Sequence, residues 1–203
     1  MENDNPQCLL FRIGWYHVFL SYLLSVSMHG IIHFELKKFV EQNYGGFETW
    51  EKLMDGAGLQ DHTYTPSAAY PDEHLGKLLT VASSVTGKSI DQLQREFGEF
   101  MVPDLVRTYA VYIRKEWNLL DFLENIEETI HGTVRRQNPG AAPPKLAISR
   151  VGPEEVVIEY SSERRMFGVL HGILNGVIKH YKANVQVKEL QQQPVYKLSV
   201  RMN

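Results

Sequence analysis

The residues best suited to chemistry lie between positions 131 and 164 of the chain. His131 offers an imidazole nitrogen to a metal ion, and Pro143-Pro144 follow it as a rigid apolar wall. Tyr160, Ser162 and Arg164 stand at alternating positions, so that on a strand all of them face the same way. Donors on one face can hold a pair of carboxylates, with the arginine gripping one through its paired N–H groups. The pattern predicts a haem site, because haem presents an iron and a pair of propionates.

The same residues belong to an ordered set that resembles the haem nitric oxide/oxygen binding (H-NOX) family, which includes the sensor domain of soluble guanylate cyclase. The likeness runs from Met28 to Met202. A single motif of this kind is weak, whereas the ordered set is specific. Its members are the opening Met28-His29-Gly30-Ile31-Ile32, the turn Asn43-Tyr44-Gly45 with Trp50 after it, Phe97-Gly98, Asn125 ahead of His131, the double proline, and the Tyr-x-Ser-x-Arg motif formed by Tyr160, Ser162 and Arg164.

The resemblance implies a specific cofactor and a role for each of these residues. The cofactor is haem b (iron protoporphyrin IX), held as a five-coordinate ferrous haem with His131 as the iron ligand. Pro144 presses on the porphyrin and distorts it. Tyr160, Ser162 and Arg164 hold the propionates.

The resemblance also bears on which gas is bound. In oxygen-binding members a distal tyrosine lies five residues after the arginine of the motif, and here that position is Val169. Bound oxygen gains from a hydrogen-bond donor, whereas nitric oxide binds ferrous iron well without one. We therefore expect nitric oxide, with carbon monoxide as a further ligand, and Tyr109 or Tyr112 as the alternative donors. The expected distal wall is apolar and consists of Ile32, Leu36, Val169 and Ile173.

The function implied by the resemblance is gas sensing. Nitric oxide weakens the bond between iron and His131, and the helix that carries His131 then shifts relative to the sheet. The signal passes to a partner such as a histidine kinase, a diguanylate cyclase or a nucleotide cyclase. No nucleophile with its base and no phosphate cradle is recognisable, so we expect no catalysis by this chain. The alternatives are an oxygen-binding haem sensor and a haem enzyme of the peroxidase type.

Composition excludes several other classes of protein. A chain of 203 residues with 43% hydrophobic and 22% charged residues is typical of one globular domain. The net charge of -3 provides no basic footprint for nucleic acid. Cys8 is the only cysteine, which excludes an intrachain disulfide and cysteine-rich zinc or iron–sulfur sites, and it favours a reducing compartment such as the cytoplasm.

Residues 1–27 form a segment distinct from the domain at 28–203. The stretch from Leu9 to Val26 is largely apolar, but Arg12 and His17 interrupt it, and acidic residues precede it. These features disfavour both a secretory signal and a membrane span. We interpret the segment as a leader that arises from an early start codon, and a short membrane-associating helix is the alternative.

The elements that must position the site are predicted to be helices in the first part of the chain and mainly strands in the last part. Apolar periodicity and breaks at Gly and Pro predict an α+β fold, with an N-terminal helical part followed by an antiparallel sheet of about four strands and one packed helix. The haem is expected between the two parts. The predicted helices cover residues 30–43, 49–54, 72–85, 89–97, a stretch from Pro103 to Arg114, 117–135 and 165–182, and the predicted strands cover 146–150, 155–160, 185–190 and 195–201.

Three local features of these elements carry further expectations. In a regular helix His131 lies at the edge of the apolar stripe, and the step from Asn125 to His131 is one residue longer than in the cyclase domains, so we expect a π-bulge there. Glycines at 168, 172 and 176 predict close packing of the last helix on the sheet. His29 and His33 have the spacing of metal ligands, but Gly30 stands where a zinc motif needs glutamate, which disfavours zinc.

Overall fold

The computed structural model describes residues 27–138 and 140–203, so that the predicted leader lies outside the described residues apart from Ser27. The fold is α+β, as predicted, with helices first and an antiparallel sheet after them. The elements are β1 (Ser27–His29), α1 (Gly30–Asn43), α2 (Phe47–Gly56), β2 (Ala69–Pro71), α3 (Asp72–Thr86), α4 (Ile90–Thr108), a 3-10 turn (Ala110–Tyr112), α5 (Leu119–Ile126), a π-helical turn (Glu127–His131), α6 (Gly132–Gln137), β3 (Lys145–Gly152), β4 (Glu155–Ser161), α7 (Phe167–His180), β5 (Val185–Gln191) and β6 (Tyr196–Met202).

Polar side chains set the beginnings of the helices that shape the site. The Nδ1 atom of His29 accepts a hydrogen bond from the backbone N–H of Ile31 at 3.3 Å and caps α1. Asn118 and Asp121 form a complete capping box at the start of α5, where each side chain accepts from the backbone N–H of the other. This box explains why the helix begins at Leu119 and not at Trp117.

Helix α4 corrects the prediction that Pro103 interrupts the helix. The helix runs unbroken from Ile90 to Thr108 with Pro103 inside it. A proline inside a helix costs about 3 kcal/mol, because it removes a hydrogen bond and crowds the preceding turn. The neighbouring side chains of Met101 and Val102 are 0% and 2% exposed, and their burial offsets that cost.

The glycines of α7 pack against α4, which corrects the prediction that they pack on the sheet. A Cβ atom added to Gly172 would lie 2.2 Å from the carbonyl oxygen of Arg95, and one added to Gly176 would lie 2.6 Å from Val102. On the facing helix, a Cβ atom at Gly98 would lie 2.6 Å from the carbonyl oxygen of Val169. The two helices therefore touch backbone to backbone, which fixes α7 relative to α4.

The sheet has the strand order β3-β4-β6-β5, and all its neighbouring strands are antiparallel. Alternate residues of β4 are buried, which shows that one face of the sheet lies on the core. This face packs with α7 and α5 through Leu174, Val177 and Leu119. A second, two-stranded sheet, in which Ser27 pairs with Pro71, was not predicted, and it ties the start of the domain to the start of α3.

Candidate functional site

An apolar cavity lies between the helical part and the sheet, and it collects most of the predicted site residues. Leu36 does not line it: its side chain is 2% exposed and packs in the helical core beside Phe39 and Leu53, one turn beyond the part of α1 that faces the cavity. The predicted residues that do line the cavity are His131, Pro144, Tyr160, Ser162, Arg164, Ile32, Val169 and Ile173.

Sequence reasoning did not predict the rest of the cavity wall. Helix α4 contributes Val102, Leu105 and Val106, which recur with the spacing of one helical face, while Tyr109, already named as an alternative donor to the gas, follows directly after the end of this helix. That periodicity is visible in the sequence, but it is the same for a face that packs in the core and for a face that lines a cavity. Other lining residues that were not predicted include Ile31, Leu75, Phe122, Ile126, Ile130, Val134 and Leu170.

His131 is the last residue of a π-helical turn, as predicted from the extra residue after Asn125. Its Nδ1 atom lies 2.9 Å from Oε2 of Glu127, one turn earlier. Within residues 27–138 and 140–203, no hydrogen bond engages the Nε2 atom of His131. The imidazole therefore reaches the cavity wall with one nitrogen held by a carboxylate and the other available to a metal.

Glu127 is the centre of the polar contacts around His131. Its Oε2 atom also accepts the backbone N–H of Leu146 at 3.1 Å, and its Oε1 atom pairs with the guanidinium of Arg135. Burial raises the pKa of the Glu127 carboxyl, but the hydrogen bonds from His131, Leu146 and Arg135 outweigh it, so that the net pKa is lowered. The carboxyl is therefore ionised at neutral pH.

The Tyr-x-Ser-x-Arg motif does not lie on one strand, which corrects the prediction. Strand β4 ends at Ser161, so that only Tyr160 is in the sheet, while Ser162 and Arg164 follow in a turn. The Ser162 hydroxyl accepts the backbone N–H of Arg164 at 3.3 Å, and Arg165 then takes a positive φ of 49°. This turn, and not strand alternation, brings the three side chains to the same cavity.

Arg164 is already anchored by groups from three distant segments. Its Nε atom donates to Oδ2 of Asp72 at 2.7 Å, and its Nη2 atom donates to the carbonyl of Ser27 at 3.0 Å. The carbonyl of Ala142 accepts from Nη1. Each terminal nitrogen keeps a further N–H group, so the guanidinium can still donate to a carboxylate at the edge of the cavity. Burial raises the pKa of Tyr160, whose hydroxyl therefore stays protonated as a second donor.

Tyr109 and Tyr112 were the alternative donors to a bound gas, and only one of them lines the cavity. Tyr109 lines the cavity, and burial raises the pKa of its hydroxyl, which stays protonated and able to donate. Tyr112 is not among the residues of the cavity wall, and its hydroxyl accepts from Nε2 of Gln137 at 3.4 Å.

The fold and the site together define a class of protein, a two-part α+β domain with an apolar cavity between its parts and the side chains of His29 and His131 at the cavity wall. A family model described as Haem-NO-binding matches residues 29–189, and the chain belongs to this family, whose members are sensor domains related to soluble guanylate cyclase. No functionally curated protein matches the chain.

Solved H-NOX structures share the fold. An H-NOX protein from S. oneidensis in its Fe(II)NO state is 19% identical, with a TM-score of 0.80 over 87% of this chain and 99% of that one. A mutant H-NOX protein from K. algicida, in the unliganded Fe(II) state, is 24% identical, with a TM-score of 0.78 over 87% and 97%. An oxygen-binding H-NOX domain, in its oxygen complex, is 23% identical, with a TM-score of 0.76 over 87% and 95%.

The family binds haem, and the residues at the cavity suit that group. Within the described part of the chain there is no cluster of three or more His, Cys, Asp or Glu side chains that could hold a metal ion. Haem carries four nitrogen ligands of its own, so a single imidazole would complete the protein's share of the iron site, and His131 has one nitrogen without a hydrogen-bond partner among the described residues. The aliphatic lining suits a porphyrin face, and Arg164 and Tyr160 offer donors to its carboxylates. No helix in residues 27–138 and 140–203 is long and apolar enough to cross a membrane.

Proposed function

We propose that this chain is a sensor that holds haem b through His131 and detects nitric oxide. The observation that carries the proposal is the position of His131 at an apolar cavity, with Nδ1 held by Glu127 and Nε2 left without a partner among the described residues. The family to which the chain belongs supports haem as the group bound there. When bound, the haem supplies ferrous iron as the site for a diatomic gas.

Each side chain of the cavity has a proposed role in holding haem. His131 is the iron ligand, and Pro144 stands against the porphyrin as a rigid contact. Tyr160, Ser162 and Arg164 are the donors for the propionates, with Arg164 contributing the charge. Because Arg164 also binds the carbonyls of Ser27 and Ala142, its contact links haem retention to the packing of the domain.

The choice of gas follows from the polarity of the cavity. Val169, Ile32 and Ile173 offer no hydrogen-bond donor, and this favours nitric oxide, with carbon monoxide as a second ligand, over oxygen. An oxygen sensor is the second candidate, and the specific observation in its favour is the hydroxyl of Tyr109 at the cavity wall. The two candidates differ in whether that phenol reaches the bound gas.

The output of the sensor is a change in the position of His131 that a partner protein detects. Glu127 connects His131 to the start of β3 through the N–H of Leu146, so a movement of the imidazole is transmitted to the sheet through these hydrogen bonds. The proposed partners are a histidine kinase, a diguanylate cyclase or a nucleotide cyclase, and the chain itself binds without catalysing a reaction. A reducing cytoplasm is the proposed location, which the single cysteine of the sequence favours.

Absorption spectra of the purified ferrous protein test these assignments. We expect a haem spectrum that changes on addition of nitric oxide or carbon monoxide and stays that of the unliganded ferrous protein in oxygenated buffer before oxidation. A stable oxygen complex would overturn the choice of nitric oxide and favour the Tyr109 alternative. Absence of haem after reconstitution would overturn the cofactor, and rapid peroxide turnover would instead favour a haem enzyme.

A further inference from the structure

The contact between Glu127 and His131 has the form of a carboxylate–imidazole pair in which the carboxylate is itself held in place. Oε2 of Glu127 lies 2.9 Å from Nδ1 of His131 and 3.1 Å from the backbone nitrogen of Leu146. The Leu146 nitrogen belongs to β3, so this hydrogen bond ties the carboxylate to the sheet. Arg135 holds the other oxygen of the carboxylate.

Both oxygens of Glu127 already accept N–H groups, Oε2 from Leu146 and Oε1 from Arg135, so the carboxylate acts as an acceptor here and Nδ1 of His131 as the donor. The neutral imidazole then carries its lone pair on Nε2, the nitrogen without a partner among the described residues. A histidine held in this way is a better ligand than a free one, because the carboxylate fixes the ring orientation and raises the basicity of the ligating nitrogen.

We infer that Glu127 is a positioning residue for the iron-binding histidine: it sets the Nδ1–H form of His131, aims Nε2 into the cavity, and links the imidazole to the first residues of β3. The inference rests on the proposed haem function and names the group that tunes it. Side-chain exposures of 27% for Glu127 and 17% for His131 show that water only partly screens the pair.

Glu127 and His131 stand at the two ends of the π-helical turn. The wider turn closes with the N–H of Gly132 donating to the carbonyl of Glu127, so that it begins at the glutamate and ends at the histidine. The neighbouring Glu128 lies on the same turn and carries the same charge, but it is exposed, and its side chain has no hydrogen bond within the described residues. The chain thus contains a matched control for the effect of a nearby negative charge.

The test uses the full-length ferrous protein and the frequency of its iron–histidine stretching band in resonance Raman spectra. Glu127→Gln keeps an oxygen that can accept from both Nδ1 of His131 and the Leu146 N–H, but it removes the charge. We expect a shift to lower frequency in Glu127→Gln and no shift in Glu128→Gln. Glu127→Ala should also bind haem about 10- to 100-fold more weakly, as is usual when a metal ligand loses its supporting contact.

An unchanged band in Glu127→Gln, or equal shifts in Glu127→Gln and Glu128→Gln, would overturn the inference while haem binding stands. Circular dichroism of each variant separates this effect from misfolding. If the protein takes up no haem, the proposed function fails. In that case 15N NMR of labelled histidine in the full chain still reports which ring nitrogen of His131 carries the proton. The Nδ1–H form of His131 in the wild type, lost in Glu127→Ala, supports the inference, and the Nε2–H form in the wild type contradicts it.

Discussion

Acid should destabilise this domain through His33, a buried histidine of α1 that is separate from the cavity. Its side chain is 0% exposed, and neither ring nitrogen has a hydrogen-bond partner within the described residues. The ring stacks on Tyr64 with the centroids 4.6 Å apart, and the His74 ring lies 6.4 Å away. Burial, and then the neighbouring His74, lower the pKa of His33 from 6.5 to about 4.

The sign and size of the effect follow from that shift. As the pH falls, the unfolded chain takes up a proton on His33 before the folded chain does, so stability is full above pH 6.5 and is lost toward about pH 4. One pKa unit corresponds to about 1.4 kcal/mol, so the whole loss is about 3 kcal/mol and roughly 2 kcal/mol of it falls between pH 7 and pH 5. Burial also lowers the pKa of His74, which adds to the loss in the same direction.

The assay is urea unfolding of the wild type and of His33→Phe at a series of pH values between 7 and 5. Phenylalanine can stack on Tyr64 but cannot take up a proton, so the variant should lose about 2 kcal/mol less stability than the wild type over this range. His180→Gln, at an exposed position on α7, is the matched control and should follow the wild type. Parallel pH dependence of the wild type and His33→Phe would refute the reasoning.

The other predictions concern haem and gas binding. His131→Gly should lose haem unless free imidazole replaces the side chain, and full retention of haem with an unchanged spectrum and no imidazole would show that the iron ligand is elsewhere. Arg164→Ala should transfer haem to an acceptor protein faster than Ser162→Ala, because a charge-assisted hydrogen bond is roughly twice as strong as a neutral one. Unfolding curves of both variants control for the contacts of Arg164 with Asp72, Ser27 and Ala142, and equal transfer rates would mean that Arg164 does not hold haem. Val169→Tyr should form a more stable oxygen complex than the wild type in air, and an unchanged oxygen affinity would place residue 169 away from the bound gas.

Local chemistry was enough to predict much of the fold. Helix α1 spans residues 30–43 as predicted, and the four strands of the main sheet lie within about two residues of their predicted positions. These elements follow from periodicity and from breaks at Gly and Pro, which act over a few residues. The π-helical turn at His131 was predictable for the same reason, because one additional residue after Asn125 must be absorbed locally.

Contacts between distant residues decided the rest, and only the tertiary structure contains them. Pro103 stays inside α4 because the side chains of the two residues before it are buried, and the glycines of α7 face α4 because the two backbones touch. Leu36 and Ile32 share one face of α1, yet only Ile32 reaches the cavity, since the neighbouring helices determine where the cavity ends. The sequence alone therefore determined α1 and the four strands of the main sheet, and it singled out His131 and Arg164, which the structure places at the same cavity. Packing determined that Leu146 holds Glu127 beneath His131 and that Asp72 holds Arg164, because contacts between segments far apart in the chain leave no local pattern.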